Sequence, residues 1–134
     1  MSVAETANHN TSLRSARNQR NAALGVLAGQ SLITLTGSIV RVTGSGLGCD
    51  TWPNCHPGSL VPVPGAAPWI QQLIEFGNRT LTVVLVVLTI WLLIAVYKAG
   101  RRQYIKVLAW IQLIGVIVQA VIGGISVHAD LRWY

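Results

Sequence analysis

The chain has 134 residues, of which 51% are apolar and 10% charged, and a formal net charge of +6. That length suits a single domain, but so low a charged fraction excludes an ordinary water-soluble one. The cations fall in two separate clusters rather than one patch, which argues against nucleic acid as a partner.

Residues 1–13 are polar and poor in large apolar side chains, the composition of a disordered tail, and residues 1–21 as a whole are read as a cytoplasmic segment. Uninterrupted charge-free runs then cover residues 22–40, 80–97 and 107–127. A helix rising about 1.5 Å per residue needs about 20 residues to cross the hydrocarbon core of a bilayer. Three buried helices of a soluble protein would need polar elements to cover them, and none remain. The sequence therefore predicts an all-α integral membrane fold with transmembrane helices over 22–41, 70–97 and 107–127. The first run is too long for the core of a signal peptide and is read as a retained helix.

Arg14, Arg17 and Arg20 precede the first run, and Lys98, Arg101, Arg102 and Lys106 crowd the short 98–106 link. The long 42–69 loop has no lysine or arginine, and Arg41 stands at its edge. Cations in alternate loops place the N-terminus and the 98–106 link in the cytoplasm, with the 42–69 loop and the 128–134 end outside. The expected location is the cell membrane, multi-pass, with membrane lipid as a partner through its anionic headgroups.

Polar and small residues then mark candidate sites in chain order. Gly25 and Gly29 have the spacing for close helix approach, and Gln30, Thr34, Gly37 and Arg41 continue as a polar and small stripe. An arginine on the outer side runs against the charge rule, so Arg41 is expected to meet an anionic partner. The segment from Gly44 to Gly48 is a turn rather than a phosphate cradle, since it follows a membrane helix and does not read G-x-G-x-x-G. Cys49 and Cys55 either close a small disulfide loop or cycle as a redox pair. A zinc site with His56 lacks a fourth ligand nearby. On the second helix Glu75, Asn78, Arg79 and Thr82 share one face, and Glu75 can pair with Arg79. Ionisable groups at that depth are costly, so Glu75 is also a candidate proton donor or acceptor. On the third helix Gln112, Gly115, Gln119 and Gly123 share a face that either bonds to other helices or lines a cavity for a flat ligand. His128 is read as a solvated surface histidine.

With those residues in view, the chain resembles the N-terminal part of the heme A synthase family. The resemblance rests on residues 36–49, TGSIVRVTGSGLGC, on Trp52-Pro53-x-Cys55, on Glu75-x-x-Asn78-Arg79, and on residues 123–127, GGISV. It implies three helices of an incomplete four-helix bundle half, in a family of eight helices. It further implies an oxidoreductase that converts the C8 methyl of heme O to a formyl, giving heme A for terminal oxidases. By position, Glu75 matches the family's catalytic glutamate, and Cys49 and Cys55 its loop pair, thought to form a disulfide that supports or relays redox. Arg41 and Arg79 match arginines suited to heme propionates. Asn78 stands where the family has a histidine ligand and is expected to contact the heme edge instead. The resemblance implies heme O as substrate, heme b as a cofactor of the absent second half, heme O synthase as a partner, and an incomplete chain that is inactive alone. Self-association into a homo-oligomer is left open. The rival readings are a membrane thiol/quinone oxidoreductase using the cysteines, and a non-enzymatic heme carrier.

Overall fold

A computed structural model describes residues 3–129. It contains three long helices, α1 (Val3–Val42), α2 (Trp69–Lys98) and α3 (Gln103–His128), with a single 3-10 turn at Ser45–Leu47. All three are long and apolar enough to span a membrane. Their most apolar stretches are largely uncovered, only 6% buried in α1, 22% in α2 and 17% in α3. Helices this apolar and this bare suit lipid rather than water, because a soluble fold would bury such faces.

α1 departs from the sequence reading. Residues 3–21, taken as a tail and over 1–13 as disordered, are helical and continuous with the membrane span. No proline occurs between Val3 and Val42 and no glycine before Gly25, while Ala, Arg, Gln and Leu recur. Extending an existing helix through such residues avoids the cost of nucleation. Met1, Ser2 and residues 130–134 lie outside the described residues, so the expected 128–134 end is seen only at His128 and Ala129.

α2 is the central helix and packs against both α1 and α3. Gly25 and Gly29 let α1 close on it: a Cβ at Gly29 would stand 2.9 Å from Leu85 Cδ1, and one at Gly25 3.5 Å from Leu88 Cδ2. Val26, Leu85 and Val116 form the small apolar core where the three helices meet, with Ile33, Val86, Leu88 and Leu92 around it. Thr36 on α1 donates to Asn78 Oδ1 on α2 at 2.9 Å, a polar tie near one end of this interface.

The helix ends fix the topology. α2 stops at a left-handed Gly100 (φ 60°), whose N–H reaches Tyr97 O while Arg101 N–H reaches Val96 O. Those two bonds satisfy carbonyls that the helix end would leave unpaired. The link is only four residues, 99–102, because both helices extend beyond the apolar runs that bounded the expected 98–106 loop. At this end Arg101 Nε donates to Gln19 of α1, so both basic clusters share one side of the bundle. The 43–68 loop lies at the other end. It leaves α1 through Gly44 (φ 64°) and contains turns and two isolated bridges.

Candidate functional site

The loop and the first turns of α2 build one polar site. Gln72, Glu75 and Arg79 stand at i, i+3 and i+7, which points all three at the loop. Gly48 lets the loop come close, because a Cβ there would lie 2.6 Å from the backbone carbon and oxygen of Gln71. Immediately after that contact, Cys49 and Cys55 form a disulfide with Cα atoms 4.4 Å apart. Both cysteines are buried, at 0% and 1% exposure. Closing so short a loop stabilises the fold by about 2–3 kcal/mol through loss of chain entropy in the unfolded state.

Glu75 is buried beneath this loop. Its Oε2 accepts the Cys49 N–H at 2.9 Å, and its Oε1 pairs with Arg79 Nη2. Arg79 in turn donates through Nη1 to Thr51 O at 2.7 Å and Asn54 O at 3.0 Å, and through Nη2 toward Cys49 O at 3.4 Å. The expected Glu75–Arg79 pair therefore exists, but both members also grip loop backbone. The guanidinium spends its donors on three carbonyls and one carboxylate, which organises an otherwise irregular segment.

A second cluster completes the attachment. His56 is buried and bonds Asp50 Oδ1 through Nδ1 at 2.7 Å and Gln72 Oε1 through Nε2 at 2.8 Å. Gln72, fully buried, accepts the Val63 N–H at 3.0 Å and donates to Val63 O at 3.1 Å and Ala67 O at 2.7 Å. Its amide orientation is thus dictated by backbone groups. The His56 pKa is raised above the ordinary 6.5, first by the bond to Gln72 and then by the bond and charge of Asp50 and the charge of Glu75, with burial opposing. Neither Gln72 nor the structural use of His56 was read from the sequence. The available signal was Gln72 lying three residues before Glu75, on the same helical face.

Trp52 carries the loop across to α3. Its ring lies where a Cβ on Gly124 would be, 2.8 Å from Trp52 Cδ2. Replacing Gly124 with alanine is expected to displace Trp52 and cost about 1–3 kcal/mol, read as a lower melting temperature and a change in tryptophan fluorescence. The same substitution at Gly123, which has open space around its Cα, serves as the control.

The remaining sequence candidates stand apart from this site. Arg41 is exposed at the end of α1, and Asn78 bonds Thr36 between the helices. Gly37 and Gly115 face open space. Gln30 and Gln112 line an apolar groove of about 350 Å³ toward the basic end. His128 is exposed. No cluster of three or more potential metal-ligating side chains occurs among the described residues.

Fold and site together define a multi-pass helical membrane protein whose long loop, stapled by a disulfide, is seated on a buried carboxylate–guanidinium pair. Curated heme A synthases are similar to it. The protein from Lysinibacillus sphaericus is 38% identical over 110 residues, covering 78% of this chain and 34% of that protein. The one from Geobacillus thermodenitrificans is 30% identical over 114 residues, covering 82% and 33% respectively. That of Staphylococcus haemolyticus is 36% identical over 117 residues, covering 82% and 36%. The chain is related to the heme A synthases, and it spans about one third of the length of these relatives. No family model matches. No solved structure matches.

Proposed function

We propose that this chain forms part of a heme A synthase, an oxidoreductase of the membrane that converts the C8 methyl of heme O to a formyl by successive hydroxylations. The observation that carries the reading is the kinship with heme A synthases over about four fifths of the chain. The buried Glu75 at the seat of the loop supports it. In this reading Glu75 handles protons for the reaction, while Arg79 and the Cys49 N–H hold its carboxylate in place. Arg41, exposed at the same end of the bundle, meets heme propionates, and Asn78 meets the heme edge.

The described residues offer no pair of histidines facing each other across an iron. His56 is engaged by Asp50 and Gln72, His128 is exposed at the end of α3, and His9 lies toward the opposite end of α1. These side chains do not fit a resident heme b. Heme O enters as substrate. The loop end faces outward and the two basic clusters face the cytoplasm, against anionic lipid. Heme O synthase as partner and self-association belong to the same reading.

The cysteines favour this over a thiol oxidoreductase, since a disulfide buried on both sulfur-bearing residues is closed to a client protein. A chimera tests the proposal: residues 22–128 replace the matching segment of the Lysinibacillus sphaericus enzyme, and the pyridine hemochrome spectrum reads formyl heme. The chimera is expected to make heme A, Glu75→Gln to lower the rate about 100-fold or more, and the 134-residue chain alone to make none. A folded, inserted chimera that binds heme O without oxidising it would instead favour the carrier reading.

A further inference from the structure

His56 takes no part in the reading above, yet it is a buried titratable group with both ring nitrogens engaged. Gln72 cannot turn its amide to suit the imidazole. Its Oε1 is fixed by the Val63 N–H, and its Nε2 by the Val63 and Ala67 carbonyls. Toward His56 it presents an acceptor, so Nε2 of His56 must carry a proton. Nδ1 faces Asp50, whose side chain is 62% exposed and whose carboxylate accepts only. Two acceptors on one ring require two ring protons, and only the imidazolium has both.

The charges around the ring agree. Asp50 from the loop and Glu75 from α2 both act on it. Arg79, the nearby cation of α2, is taken up by Glu75 and by loop carbonyls. α3 meets the loop at the uncharged Gly124, with His128 exposed beyond it, and α1 ends in an exposed Arg41. His56 lies in the segment whose other bonds hold Glu75. Its N–H and that of Cys55 share Ser59 O, while Thr51 N–H reaches Cys55 O.

We propose that His56 is a positioning residue that works as an imidazolium, clamping the disulfide loop onto Gln72 so that the Cys49 N–H and the loop carbonyls are delivered to Glu75 and Arg79. Loss of its proton leaves one of the two acceptors unserved and loosens the loop over the carboxylate. The folded state holds this proton above pH 6.5, where a free imidazole gives it up. The clamp is therefore complete below that pH and is lost as pH rises through the higher folded-state value. This role of His56 is independent of the reaction assigned above and of bound heme.

The test uses the full chain in lipid nanodiscs, with two readings by NMR from pH 6 to 9. One is the pair of His56 ring ¹⁵N shifts, and the other is the protection factor of the Cys49 amide, which removes the intrinsic pH dependence of exchange. The expected result is imidazolium shifts at pH 6.5–7 and a fall in Cys49 protection of about tenfold or more as His56 titrates, the loss of one charge-assisted hydrogen bond. His56→Gln should lower that protection and flatten its pH profile, and Asp50→Asn should move the transition to lower pH. Neutral-imidazole shifts at pH 6.5, or Cys49 protection that stays flat through the His56 titration, would overturn the proposal. The unsubstituted chain and Asp50→Asn decide the matter even where His56→Gln fails to fold.

Discussion

An Arg79→Ala chain is expected to lose about 3–5 kcal/mol from the closed state of the loop, because it strands a buried carboxylate without its counter-charge. Glu75 and Arg79 side chains are 7% and 17% exposed, so water compensates little in the closed state. The loss has two parts. Glu75 keeps the Cys49 N–H but loses its counter-charge, and the Thr51 and Asn54 carbonyls lose the donor that gathers them. Amide exchange at Cys49 should therefore speed up by hundreds-fold or more, since local opening exposes it. Replacing both members, as Glu75→Leu with Arg79→Met, removes the stranded charge and should cost distinctly less than Arg79→Ala. If the double substitution is as damaging as the single one, the ion pair is not what seats the loop, and the carbonyl contacts alone carry it.

This double use of Arg79 explains why the sequence was readable to one depth and not further. Membrane-length runs are read by counting, because lipid imposes one length on every span and tolerates few charges. The Glu75–Arg79 pairing is likewise local, fixed by four residues of helical spacing. What lies across the loop is not local. Arg79 meets Thr51 and Asn54 at separations of 28 and 25 residues, through backbone carbonyls that every sequence possesses, so no residue type announces the contact. Gly48 and Gly124 were visible as glycines, but their partners, the Gln71 backbone and the Trp52 ring, depend on how the loop folds over α2. The helical tail departs from its composition for a different reason. Its polarity is that of a segment disordered in isolation, whereas a helix already nucleated in the membrane can continue through good helix formers.

Gln72 is the residue that composition hid most completely, and its removal is expected to have the second large effect. A glutamine in the first turn of a membrane helix looks like an interfacial residue pointing at water. It is instead fully buried, and its amide makes four hydrogen bonds, accepting from His56 and the Val63 N–H and donating to Val63 O and Ala67 O. Leucine at this position fills much of the same space and satisfies none of them. Each buried group left unpaired costs about 1–3 kcal/mol, so Gln72→Leu should lower the stability of the loop by about 3 kcal/mol or more. The loss is limited by the ease with which the 59–67 segment can lift off and find water. Gln72→Glu separates the parts of this effect. A carboxylate can still accept from Val63 N–H and from a protonated His56, but it has no N–H for the Val63 and Ala67 carbonyls. It should therefore keep the His56 end of the loop while releasing the 63–67 turn, seen as lost protection at Ala66, whose N–H reaches Val63 O, with Cys49 still protected. Equal loss of protection at both sites would mean that Gln72 holds the loop as one unit. Protection unchanged at both in Gln72→Leu would show that the disulfide and Arg79 suffice without it.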